Sequence, residues 1–475
     1  MDLSSRLRAI VRTGPPKPAR DLTYEPDTGG YEGPIDLSRI GAVLGGHAAD
    51  TPFGQCLIVD RRYESDRRHG RVRIGECDVD DESSLAILDP TLSAICGDRG
   101  LTPLSGDGGQ TPVAGDVGQT PGSASAAGRR TIFIDLETTG LSGGAGTVAF
   151  LVGCGYFDFG AFQVRQFLLT SFASERALLY AVAEFFDAAD LIVTYNGKTF
   201  DVPVMETRWL FHRLQMPLER VPHFDMLHPA RRLWRARGRS AGDDAGCRLA
   251  SLERSLLDMT RVGDVGGFEI PGRFFQFLRT GDARPLEPVL EHNRLDLVSL
   301  AAVMSQGLRL AREGDAACRD CAEALALGRV YERAAACGAA APGTDEILAR
   351  AERCYRRAAQ SRDADVRGEA LYRLALRHRR ERRYAEAAAI WREVIELTEP
   401  RGVRRIGGLG ELRQFAVEAL AIHQEHRERN LPRARELALF ALEDADGRRA
   451  DGMRHRLARL DRKLAQKRDA QLLWS

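Results

Sequence analysis

The 475-residue sequence predicts an α/β fold built on a mixed sheet flanked by helices, followed by an all-α helical-repeat domain. Three observations predict it. Between residues 130 and 311, short apolar runs bounded by turn residues alternate with segments of helical period, the pattern of a layered α/β unit. Just before that stretch, residues 97–129 carry very few apolar side chains. Beyond residue 316 the composition turns to Ala, Arg, Leu and Glu at helical spacing.

Residues 1–20 are rich in proline and arginine and are expected to be flexible. The region 1–96 is partly strand-forming and of unknown role, with Gln55 to Asp60 and Gly70 to Ile74 as short strands. In 97–129 a Thr-Pro pair recurs at residues 102, 111 and 120, and GDxGQTP occurs twice, from Gly106 and from Gly115. With so little to bury against its ordering entropy, this Gly/Pro/Thr stretch is expected to be a disordered linker and a domain boundary.

In the 130–311 domain, Thr131 to Asp135, Thr147 to Phe157 and Phe162 to Leu169 read as three successive strands, the last two joined by a turn at Asp158 to Ala161. A helix from about Ser174 to Asp187, with Ser174 as its cap, precedes a fourth strand, Leu191 to Tyr195. Helices follow to residue 311. In the 316–475 tail, Ala387, Trp391 and Val394 stand 36 residues after Ala351, Tyr355 and Ala358, and Leu371, Leu374 and Ala375 take the positions of a tetratricopeptide helix pair. The competing reading is an irregular helical bundle.

Composition excludes several classes. Hydrophobic residues are 44% and charged residues 28%, which rules out a wholly disordered or fibrous chain. No apolar run reaches the roughly 20 residues that span a bilayer. The N-terminus lacks an apolar secretory core, so a cytoplasmic location is expected. Nine scattered cysteines fit reduced thiols; Cys318 and Cys321 form a lone CxxC, more simply two buried neighbours one helical turn apart than a zinc site. Lys+Arg is 68 against Asp+Glu 67, so the formal charge is +1, yet it is unevenly spread. Residues 228–239 hold five arginines and no acid, and residues 352–383 hold eleven arginines against five acids.

Three short motifs carry chemistry. In Phe133-Ile134-Asp135-Leu136-Glu137-Thr138-Thr139-Gly140, the alternation of a strand puts Asp135 and Glu137 on one face. Paired carboxylates at a strand end repel unless a cation neutralises them, and hard oxygen ligands suit Mg²⁺ or Mn²⁺. The small residues Thr138, Thr139 and Gly140 let a ligand approach the backbone. In Tyr195-Asn196-Gly197-Lys198-Thr199-Phe200-Asp201, Asp201 opens a helix, where it is either a ligand or a simple cap. In Glu291-His292-Asn293-Arg294-Leu295-Asp296, His292 and Asp296 are i and i+4 on one helix face.

Together these motifs resemble the DEDD (DnaQ-like) superfamily of 3′–5′ exonucleases, which has a ribonuclease H-like fold. FIDLETTGL looks like the first exonuclease motif, YNGKTFD the second and HNRLD the third. The stretches His223 to Trp234, Cys247 to Leu257, Ile270 to Gly272 and His292-Asn293 further resemble a bacterial, YprB-like branch in which such a domain often carries a helical-repeat tail. The resemblance spans about residues 40–311. It implies two Mg²⁺ or Mn²⁺ ions held by Asp135, Glu137, Asp201 and Asp296, with His292 as general base. One departure stands out: His292 is separated from Asp296 by three residues, the spacing of the tyrosine type of the superfamily rather than the histidine type.

The implied partner is nucleic acid, with single-stranded 3′ ends as substrate. Asn196 and Lys198 are candidate phosphate contacts. Arg231, Arg232, Trp234 and Arg235 form either a backbone-binding patch with an aromatic face for a base, or a solvated arginine face anchored by Trp234. Asp225 is a candidate for a supporting role. Two other readings stand beside the exonuclease: an inactive nuclease-like scaffold whose tail binds a protein partner, and an endonuclease on the same fold.

Overall fold

A computed structural model describes residues 36–92, 130–140, 146–235, 247–338, 343–398, 408–443 and 447–472. The expected linker at 97–129 and the flexible segment 1–20 lie outside the described residues. Seven strands form one mixed sheet: β1 (His47–Thr51), β2 (Gly54–Tyr63), β5 (Thr131–Thr138), β6 (Ala149–Asp158), β7 (Ala161–Leu168), β8 (Leu191–Thr194) and β9 (His223–Asp225). A separate small hairpin is made by β3 (Arg68–His69) and β4 (Val72–Arg73). The spatial order is β1-β2-β7-β6-β5-β8-β9. All pairings from β1 to β5 are antiparallel, while β8 runs parallel to both β5 and β9.

The four strands expected after residue 130 are present. Their joint at Phe159 and Gly160 has positive φ at both positions, 48° and 73°, the mirror-image turn that suits the twist of a tight hairpin. Ser174 stands ahead of the helix Glu175–Phe186, but its hydroxyl donates to the carbonyl of Ser171 and does not cap.

The boundary expected near residue 96 is not a division of the fold. β2 pairs with β7 over seven positions, from Leu57 opposite Leu168 to Tyr63 opposite Phe162. The contiguous buried run Cys56 to Val59 of β2 lies between β1 and β7, and without β2 the edge of β7 would be unpaired.

Both faces of the sheet are covered. Ile132, Ile134 and Leu136 of β5 point into one core with Phe150, Trp209 and Phe274. Phe133 points into the other, against Leu297, Val298 and Ala301 of a long helix. The main helices are α1 (Leu37–Leu44), α2 (Glu82–Leu88), α3 (Glu175–Phe186), α4 (Asp201–Phe211), α5 (Leu227–Trp234), α6 (Ile270–Thr280) and α7 (Glu287–Glu313). The tail adds α8 (Cys321–Ala336), α9 (Thr344–Ala358), α10 (Ala364–Arg380), α11 (Tyr384–Leu397), α12 (Gly408–His426), α13 (Leu431–Glu443) and α14 (Gly447–Leu472), each packed on the next. The tail is not hung loosely from the sheet domain. Leu327, Tyr331, Ile347, Tyr355 and Leu374 belong to the same continuous core as Phe133 and Trp234.

Candidate active site

The site forms where β5 and β8 end side by side, a place at which parallel strand ends leave a crevice. Asp135 and Glu137 follow Phe133 on one face of β5, facing α7. The register of β5 against β6 shifts between Glu137 and Thr138, and such a bulge re-aims the strand end. Asp201 begins α4 just after β8 and is 6% exposed. Asp296 and His292 come from α7, one turn apart.

The positions of these groups are held by a polar network. The Asn293 amide donates to Asp135 twice, to the carboxylate Oδ2 at 2.8 Å and to the backbone carbonyl at 3.1 Å. Gln166 of β7 donates in turn to Asn293 Oδ1 at 2.7 Å and to the Leu290 carbonyl at 2.9 Å. Both amides are fully buried, where an unmet polar group costs about 1–3 kcal/mol, so the network fixes β5 to α7. Gly153, opposite Asp135 in the ladder, leaves the room that Asn293 fills.

Asp225, at the end of β9, accepts hydrogen bonds from the backbone N–H groups of Asn196 (2.8 Å), Lys198 (3.1 Å) and Leu227 (3.1 Å). It thereby shapes the turn that delivers Asp201. Asn196 in that turn has φ 70°, a left-handed conformation that Asn tolerates better than most residues. Further along α4, Arg208 forms a buried two-point ion pair with Glu175, at 2.6 and 2.5 Å, tying α4 to the start of α3.

The electrostatics reflect the crowding. Burial, with the charges of Asp296, Glu137 and Asp201, pushes the Asp135 carboxyl well above the usual carboxylate range. Burial and the charges of Asp296 and Asp201 do the same to Glu137. Asp201 is pushed up to about 7 by burial and by the charges of Asp225 and Asp296. Asp296 is raised by burial although Arg261 and His292 oppose the rise. Such a set favours protons or cations over four bare charges, and its donors are all hard oxygens, so it fits divalent ions by chemistry. Among the described residues, no three His, Cys, Asp or Glu side chains stand close enough together to enclose an ion.

Arg261 and Asp264, which sequence reasoning missed, complete the site. Arg261 pairs with Glu253, with Asp296 and, at 3.1 Å, with Asp264; Asp264 Oδ1 lies 2.7 Å from His292 Nδ1. His292 Nε2 is 3.7 Å from Asp296 Oδ2. Arg261 and Asp264 sit in a short polar turn with no motif spacing to mark them. Asn293 lay inside a recognised motif and Gln166 alternates into a strand face, the only signals they gave.

The other expected contacts divide. Thr138 Oγ1 donates to the Gly140 carbonyl at 2.8 Å and Thr139 Oγ1 accepts from Val148 N at 3.0 Å, so both hydroxyls shape the strand end. Asn196 and Lys198 are exposed, and the lysine ammonium reaches Asp89 at 3.5 Å. Trp234 offers no face to a base: it is 1% exposed, with its indole N–H donating to Glu323 of α8 at 2.8 Å. Arg232 is half-buried and donates to the Leu88 carbonyl at 3.1 Å, while Arg231 is half-buried and Arg235 is exposed. The apolar stripe of α5 wins Trp234 for the core, as the anchored reading expected. Cys318 is buried with its thiol on the Gly314 carbonyl, a packing cysteine.

A mixed sheet with carboxylates gathered at the ends of its central strands defines a ribonuclease H-like domain, and an RNase_H superfamily model (RNase_H_2) matches residues 132–307. Over 335 residues, 70% of this chain and 74% of the relative, the sequence is 30% identical to the uncharacterized protein YprB of Bacillus subtilis (strain 168). The chain belongs to this YprB family of the RNase_H superfamily. Among the described residues, no helix is long and apolar enough to cross a membrane.

Proposed function

We propose that this chain is a metal-dependent phosphodiesterase of the DEDD type, a 3′–5′ exonuclease acting on single-stranded DNA or RNA in the cytoplasm. The observation that carries the reading is geometric: Asp135, Glu137, Asp201 and Asp296, drawn from three separate segments, converge on one crevice, where the charges of Asp201 and Asp296 bear on both Asp135 and Glu137. A domain without need of a cation has no physical reason to gather four repelling acids. These four residues would hold two Mg²⁺ or Mn²⁺ ions. When bound, such ions supply a nucleophilic hydroxide at neutral pH and offset the charge that develops on the phosphate.

The chain's own groups do the rest. Asn293 and Gln166 keep Asp135 aimed, and Asp225 keeps the turn before Asp201 in shape. His292, one helical turn before Asp296, is the group we assign to take the proton of an attacking water. Lys198 and Arg235, both exposed, are the cations we assign to the phosphate backbone. We read the helical tail as a tetratricopeptide-like array that holds a protein partner.

End-labelled DNA and RNA oligonucleotides, incubated with wild type and Asp135→Ala in Mg²⁺, Mn²⁺ or EDTA, test the proposal. Stepwise shortening from the 3′ end, abolished by EDTA and by the substitution, is expected. Internal cuts would make the domain an endonuclease. No degradation of any substrate would make it a scaffold.

A further inference from the structure

The i,i+4 placement of His292 and Asp296 leaves open how the imidazole is oriented, and the residues around it answer this. Among the described residues, a single hydrogen bond holds the His292 ring. Its Nδ1 meets Asp264 Oδ1 at 2.7 Å, a full hydrogen bond, while the 3.7 Å from Nε2 to Asp296 Oδ2 is too long for one. The other oxygen of Asp264 is already taken: Arg261 Nη1 donates to Oδ2 at 3.1 Å. Arg261 is itself fixed, through its pair with the buried Glu253, and also bonds Asp296. Gly263, with φ 73°, makes the bend between Arg261 and Asp264, and Val265, 5% exposed, pins the far side of the turn in the core. Asp264 is therefore a fixed acceptor, with its side chain 24% exposed.

We propose that Asp264 is a positioning residue that keeps the proton of neutral His292 on Nδ1 and so presents Nε2 as the base. The inference rests on the nuclease reading of this site. Its logic is that of any imidazole held at one nitrogen by a carboxylate: the bond fixes both ring orientation and tautomer, and the free nitrogen is left to accept a proton. The turn at residues 261–265 thus supplies the group that aims the imidazole carried on α7.

The decisive variant is Asp264→Asn. Because Arg261 donates to the Oδ2 position, the new amide must turn its carbonyl toward Arg261 and its NH₂ toward His292 Nδ1, which forces the ring proton onto Nε2. Full-length protein labelled with ¹⁵N-histidine, in alkaline buffer with EDTA so that the ring is read in its neutral form, reports the tautomer directly. His292→Gln assigns its signals. Wild type should show a protonated Nδ1, Asp264→Asn a protonated Nε2, and Asp264→Glu the wild-type form. In the oligonucleotide assay, Asp264→Asn should lower kcat by about 10²–10⁴-fold with KM within about threefold, and Asp264→Glu should recover part of the loss. An unchanged tautomer in Asp264→Asn overturns the proposal, whether or not the wild type degrades a substrate. So does an unchanged kcat in Asp264→Asn when the wild type degrades a substrate. An inactive wild type with the expected tautomers refutes the nuclease reading alone.

Discussion

Replacing Gly153 by alanine should damage the site although the residue bears no side chain and is not itself a proposed ligand. Gly153 faces Asp135 across the β5–β6 ladder. A Cβ built there lies 2.1 Å from Asn293 Oδ1 and 2.7 Å from both Cγ and Nδ2. Ordinary contact needs about 3.5 Å, so the amide must retreat by more than about 1 Å. It has nowhere cheap to go. Asn293 is fully buried, accepts from Gln166 and donates twice to Asp135. Overpacking costs about 1–3 kcal/mol, and each buried polar group left unmet adds about 1–3 kcal/mol, so a loss near about 3 kcal/mol is expected. A misplacement of this size at Asp135 should also lower turnover by about 10²-fold. Denaturant unfolding and the oligonucleotide assay measure the two effects. Asn293→Ala removes the obstacle, so the double variant should be no worse than Asn293→Ala alone, a coupling of at least about 1.5 kcal/mol. A Gly153→Ala protein within about 0.5 kcal/mol of wild type, or additive variants, would refute the reasoning.

Three other outcomes follow from the structure. The Asp201 carboxyl rises from its ordinary 3.8 to about 7, so the folded chain holds that proton more tightly than the unfolded one. Its stabilising effect is present below about pH 4 and lost as pH rises through about 7; Asp135, Glu137 and Asp296 shift in the same direction. In EDTA the melting temperature should therefore fall between pH 5 and pH 8, Asp201→Asn should flatten the fall, and added Mg²⁺ should raise the wild type most at pH 8. Trp234→Ala should destabilise the whole molecule by about 3–5 kcal/mol in unfolding experiments, since the buried indole joins α5 to the tail; a stable variant that merely binds nucleic acid less well would reverse that assignment. Deleting residues 36–63 should yield aggregating protein, seen by light scattering, because it bares the edge of β7.

The chemistry of the site was legible where it depends on short spacing. Asp135 and Glu137 two apart on a strand, and His292 and Asp296 four apart on a helix, share a face by backbone geometry alone. What pairs with them was not. Arg261, Asp264 and Gln166 reach the site from loops and strands tens to more than a hundred residues away, and nothing in local periodicity encodes such a meeting.

The sequence by itself determined the classes of element, the face each carboxylate takes and the change to a helical tail, because hydrophobic period and turn chemistry act over a few residues. The tertiary structure decided the rest. It drew β1 and β2 into the sheet of a domain that begins far downstream, since an apolar strand and an open edge each need a partner. It put Trp234 inside and merged the first tail helices with the core, because a large apolar surface is buried wherever the topology offers a matching one. And it closed the circuit of Glu253, Arg261, Asp264 and Asp296 around His292, where opposite charges offset the cost of their burial.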